Sequence, residues 1–230
     1  RATSRWAIQL RTLSLVQIAS LGLSLGAGGL ASGCISDEAG LGDAHSDVDA
    51  AEVIDFDDVD PSCKGGAMPV PVGCGQAVVA QIANRGQDHV PDGTPIVYED
   101  MPPSSGDHRP SWARWGEYSF LPQQRWLHNL EHGGIAFLYD PCASEAVVTA
   151  LREVARAMPA DESGAARWVL SPYPGLPTGV AVVAWEWTWQ AECVDAGNQG
   201  TLQSFITEHY RKAPEDVAVD GSFANGWIGR

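Results

Sequence analysis

The residues best suited to chemistry in this sequence are His108, then His128 and His132 with Glu131 between them. Neutral imidazoles are good ligands for divalent transition metals. Three of them leave a coordination position open, as in catalytic zinc and type-2 copper sites, and copper or zinc is the metal such a set favours. Glu131 could be a fourth ligand, a partner that fixes a histidine tautomer, or a general base toward metal-bound water. Met101, seven residues before His108, would add a soft ligand favouring copper if it reached the ion. Otherwise it is a loop methionine. Whether His128 and His132 can share an ion depends on the backbone. On a helix they are neighbours one turn apart, with about 6 Å between side-chain bases; on a strand four residues span about 13 Å, too far for one metal. Gly133-Gly134 ends any helix there, so at most a single turn is expected before a strand that begins near Ile135. The bland alternative has His108 and His128 hydrogen-bonding to loop backbone and stabilising a Pro/Gly-rich segment.

Other chemistries have weaker support. His128-Asn129-Leu130-Glu131-His132 matches the inverted zinc-peptidase pattern HxxEH, which needs a sustained helix and a later acidic ligand, for which Glu208 can be nominated. Ser104 and Ser105 lie near His108, but the sequence has no GxSxG elbow, no GxGxxG and no Walker loop, so neither a serine nucleophile nor a nucleotide cofactor is indicated. His45, His89 and His209 have no partner at a ligand-like spacing and read as surface or packing residues.

The elements that must position these residues can be read from periodicity. Gly134 to Tyr139 is a continuous apolar run bounded by Gly and Asp140-Pro141, which predicts a buried strand. Ser144 followed by Glu145 predicts a helix start. Val147, Val148, Leu151, Val154 and Met158 then recur at helical spacing up to Pro159. Ile96 to Tyr98, Arg167 to Leu170 and Gly179 to Trp189 are expected strands, and a second helix is expected over about Gln199 to Tyr210. The order predicts an α+β domain over 61–230, with a mostly antiparallel sheet and two helices packed on one face. Trp185, Trp187 and Trp189 alternate, which on one strand places all three on one face. Packing against the helices is the expected role of that stripe; a surface that binds a polymer or a protein is the alternative.

Several of these residues form a pattern larger than the metal set. Pro102-Pro103-Ser104-Ser105-Gly106-Asp107-His108, Trp112, Gly116-Glu117-Tyr118, the run from His128 to Tyr139, and the closing Tyr210 and Ala213-Pro214-Glu215 resemble a bacterial family, domain of unknown function 3105. Its signature reads PPxSGxH, a downstream W…GxY, and HxLEHG leading into a strand. The resemblance covers roughly residues 95–216, with Asp107 where Pro is common. It supplies no activity, but it implies an exported or membrane-anchored setting.

The remainder of the chain agrees with export. The 230 residues carry 14 Lys+Arg against 29 Asp+Glu, a formal charge of −15. That balance argues against nucleic acid as a partner. The 44% hydrophobic content is enough for a real core. Arg1, Arg5 and Arg11 precede an apolar stretch from Leu13 to about Leu30, the layout of a signal peptide over 1–33. The stretch ends in Leu30-Ala31-Ser32-Gly33-Cys34, similar to a lipoprotein cleavage site with Cys34 as the lipidated residue and membrane anchor. The chain opens with Arg rather than Met, so an altered or missing start is expected. Residues 34–60 are rich in acid and free of Lys and Arg, which predicts a disordered, flexible acidic tether. With Cys34 assigned to lipid, Cys63, Cys74, Cys142 and Cys193 form an even set that reads as two disulfides. Proximity favours Cys63–Cys74 and Cys142–Cys193 among the three possible connectivities.

Overall fold

A computed structural model describes residues 59–162 and 164–230. The signal peptide expected over 1–33, the lipidation site Cys34 and nearly all of the acidic tether lie outside the described residues. Among those described, the domain is α+β. Seven strands form one sheet in the order β1-β6-β5-β3-β4-β2-β7. In chain order the elements are β1 (Val78–Gln81), β2 (Gly116–Tyr118), α1 (Gln123–Glu131), β3 (Ile135–Tyr139), α2 (Glu145–Arg156), β4 (Trp168–Pro172), β5 (Val180–Ala184), β6 (Trp187–Ala191), α3 (Gln199–His209) and β7 (Trp227–Gly229). The pairings β3–β4 and β2–β4 are parallel, and the other four are antiparallel.

The sheet divides the core in two, because successive side chains on a strand point to opposite faces. Ile135 and Phe137 of β3, with Val180, Val182 and Ala184 of β5, pack under α2 (Val147, Leu151, Ala155) and α3 (Leu202, Phe205, Ile206). Ala136, Leu138, Ala181 and Val183 point the other way, toward Trp126, Leu127 and Leu130 of α1. Both faces of the central strands are therefore covered, which is why β3 and β5 are apolar throughout. The expected pair of helices does share one face.

The third helix was not expected. At most a single turn is expected before Gly133-Gly134, yet α1 runs nine residues, Gln123–Glu131, and closes in the turn at His132. Gly133 does stop it, with φ +81°. Trp126, Leu127 and Leu130 supply the buried stripe that stabilises the turns before it. The run from Gly179 to Trp189 is not one strand either. It folds as a hairpin in which Ala184 pairs Trp187 across the two-residue turn Trp185-Glu186. Trp185 consequently joins the α1 side of the core while Trp187 and Trp189 face α2 and α3. With Trp185 and Trp189 buried, the three rings do not form one exposed stripe. Ile96 to Tyr98 forms no strand. Tyr98 instead donates its hydroxyl to the Asp107 carbonyl at 2.6 Å, and Val97 is exposed.

The disulfides join Cys63 to Cys142 and Cys74 to Cys193, the reverse of the pairing that proximity favoured. The cause is β1, which runs antiparallel to β6 and brings the segment before it beside the end of β6. Met68 N–H donates to the Cys142 carbonyl at 2.7 Å, so the first segment lies across the β3–α2 connection rather than closing on itself.

Candidate metal centre

The last turn of α1 presents His128 and Glu131 on one side, since residues three apart are helical neighbours. A buried asparagine between them fixes how that turn sits. Asn129 accepts from the Ala113 N–H at 2.9 Å through Oδ1 and donates to the Ala113 carbonyl at 2.8 Å through Nδ2. A second segment brings His108. Gly106, at φ +121°, lets the chain turn back so that the Gly106 carbonyl meets Nδ1 of His108 at 2.8 Å. A third segment is zipped to the second by backbone hydrogen bonds. His108 N–H donates to the Asp88 carbonyl at 3.0 Å and Val90 N–H to the His108 carbonyl at 2.8 Å, which pairs His89 with His108.

Three imidazoles and a carboxylate converge as a result. The ring centroids of His89, His108 and His128 lie 4.6 to 5.0 Å apart. Glu131 Oε2 is 2.9 Å from His108 Nε2, 3.6 Å from His89 Nε2 and 4.0 Å from His128 Nε2. One donor atom from each of the four falls within 4.8 Å of every other, so the group could hold a metal ion. Ligands about 2.1 Å from a tetrahedral ion stand about 3.4 Å from one another. Small side-chain adjustments convert one arrangement into the other.

The tautomers follow from the backbone. A carbonyl oxygen only accepts, so His108 and His128 must each carry the proton on Nδ1, donated to Gly106 and, at 2.7 Å, to Arg109. Their Nε2 atoms then carry lone pairs, and that of His108 meets the carboxylate oxygen at 2.9 Å. Burial reinforces the neutral state: it pushes the His128 imidazole down to about 4 and lowers His108 as well. The same burial raises the Glu131 carboxyl, against the opposing pull of His128. Lone pairs facing an oxygen at 2.9 Å repel unless something positive lies between them. In the protein without metal that is a proton; a metal ion would replace it.

Met101 is exposed and its sulfur lies against Gly175. Glu208 sits exposed on α3, across the sheet from α1. Of the residues expected to ligate, His108, His128 and Glu131 come together. His132 turns aside: its Nε2 meets Glu215 Oε2 at 3.1 Å, and its ring packs edge-on against Trp112 and His128, with centroids 4.6 and 4.5 Å apart. The alternative that gave His108 and His128 a loop hydrogen bond describes their Nδ1 atoms, and it is those bonds that leave Nε2 available. Sequence reasoning passed over His89. Its spacing from His108 follows no helical or strand rule, and only the backbone bridge joins them. Ser105 accepts from Arg85 N–H and donates to the Ala83 carbonyl, a structural use of that hydroxyl.

Among curated proteins and solved structures, no match is found. A protein family does match, over residues 89–221, a span that opens at His89 and includes every residue of the cluster and the His132–Glu215 pair. The match covers more than half of the chain, and the chain therefore belongs to the family described as protein of unknown function DUF3105.

Proposed function

We propose that this domain binds one divalent transition-metal ion, copper or zinc, through Nε2 of His89, His108 and His128 and the carboxylate of Glu131. The observation that carries this reading is the tautomer lock. Backbone carbonyls hold the Nδ1 protons of two buried imidazoles, which leaves both Nε2 lone pairs free, His108's at 2.9 Å and His128's at 4.0 Å from one carboxylate oxygen. Metal-ligating histidines are commonly fixed in this way. The donor set of imidazole nitrogen and carboxylate oxygen suits zinc or copper and disfavours calcium, which prefers oxygen alone.

The two disulfides indicate an oxidising, extracytoplasmic setting, and no helix among the described residues is long and apolar enough to cross a membrane. Lipidation of Cys34 would supply the membrane attachment, with the acidic segment as spacer. The chain's negative charge supports a partner other than nucleic acid.

Metal content of the purified protein, measured by mass spectrometry beside His108→Ala and His128→Ala, tests the reading. One ion per chain in the parent and none in either variant is the expected result. A folded parent that takes up neither copper nor zinc contradicts it. Replacing Cys34 by Ala should release the protein from membranes; unchanged membrane association would remove the anchor.

A further inference from the structure

The four donors are held unequally. The side chains of His108, His128 and Glu131 are 0%, 3% and 4% exposed, whereas that of His89 is 49% exposed. His108 and His128 are pinned through Nδ1, and Glu131 stands on a buried helix turn. Among the described residues no hydrogen bond fixes Nδ1 of His89, whose ring stacks on His128, meets His108 edge-on and faces Glu131 at 3.6 Å. Its backbone neighbours, by contrast, are anchored to His108. The ring can therefore swing about its own side-chain bonds while the segment stays in place. Three donors form a preset base, and the fourth forms its outer wall.

We infer that His89 is a replaceable ligand of the metal centre, and that the coordination position it fills is where a small neutral nitrogen donor from solvent reaches the ion. The inference rests on the metal-binding reading above. The neighbouring charges give the ligand class. Asp88 and Asp107 are exposed on the two segments that carry His89 and His108, and both act electrostatically on His108. Two carboxylates next in sequence to these histidines disfavour an incoming anion and leave neutral donors preferred. Imidazole reproduces the group that departs, and azide is the anionic comparison.

The test uses the full chain loaded with Cu(II) and read by electron paramagnetic resonance, with His89→Ala, His89→Gln and His128→Ala. Circular dichroism establishes that each variant is folded. Both His89 variants are expected to keep one copper per chain, to show one coordinated imidazole fewer, and to regain the parent spectrum when free imidazole is added. A chelator should strip their copper at least about tenfold faster than from the parent. Azide should bind the vacated position more weakly than imidazole, and His128→Ala should take no copper. Loss of copper from the His89 variants as complete as from His128→Ala would overturn the inference, because the four ligands would then act as one set. Parent-like spectra and stripping rates would also overturn it, because His89 would not be a ligand. Both results leave the metal-binding reading standing. Only a parent chain that takes no metal removes the two together.

Discussion

At the scale of single residues, the cluster depends on where protons are kept. The carbonyls of Gly106 and Arg109 take the Nδ1 protons, so the pair His108 Nε2 and Glu131 Oε2 lacks a donor unless a proton or a metal supplies positive charge. Glu131→Gln tests this directly. A glutamine amide can donate to His108 Nε2 with no cation present, so the variant should match or exceed the parent in metal-free thermal stability. Its metal affinity, measured by calorimetry, should fall by about 10- to 100-fold or more. Equal affinity in parent and variant would exclude the carboxylate as a ligand. A second expectation concerns pH. His128 and His132 titrate near 4 in the folded protein, mainly through burial, against 6.5 for an ordinary imidazole. Between those values both rings take up a proton on unfolding, against the one that the raised Glu131 carboxyl releases, so metal-free stability should fall as pH drops from 6.5 toward 4 and level off above 6.5. Denaturant unfolding of the metal-free protein at several pH values reads the slope, which should shrink when His132 is replaced by Gln. A stability that does not change across that window would show that these rings are not held neutral.

At the scale of elements, the site is as good as the positioning of α1. Asn129 saturates both backbone groups of Ala113 from between His128 and Leu130. Asn129→Ala strands a buried N–H and a buried carbonyl and should cost about 2 kcal/mol or more in chemical denaturation, with metal affinity reduced although no ligand is touched. At Gly133 the chain leaves the helix with φ +81°, and an added Cβ would stand 2.8 Å from the Arg211 Cα. Gly133→Ala should therefore destabilise by about 2 kcal/mol or more. Cost-free replacement at both positions would mean that the turn carries less of the site than its packing implies. The same elements show what the sequence made legible. The Gly133-Gly134 stop, the β3 run, the stripe of α2 and the span of α3 are local patterns, and they read correctly. Ser144 starts α2 as expected, yet its hydroxyl makes no capping bond. α1 was harder to see, because its apolar stripe is only Trp126, Leu127 and Leu130 and its polar residues are as buried as these. The β5–β6 hairpin was hidden for a related reason: both strands are buried, and the turn between them is made of Trp and Glu rather than Gly or Asn.

At the scale of the whole molecule, the long-range connections were the illegible part. His89 reaches His108 through a backbone bridge, and the disulfides span 79 and 119 residues. Nothing local encodes either. Because those loops are long, each bridge removes much unfolded-chain entropy, about 5 kcal/mol apiece on the loop-closure model. Reduction of both should lower the thermal midpoint by well over 10 °C in calorimetry. The Cys74–Cys193 bridge packs on the α2/α3 side of the sheet and the histidines on the α1 side, so below its new midpoint the reduced protein should still bind metal. Loss of metal from folded, reduced protein would show that the two sides are coupled.

The most direct measurement is anomalous diffraction from crystals of the protein grown with zinc or copper. One peak about 2.0–2.2 Å from Nε2 of His108 and His128 and from the Glu131 carboxylate, with His89 completing the set, is the predicted result. No peak at the cluster in a crystal soaked with either metal, or a peak only between His132 and Glu215, would contradict the account.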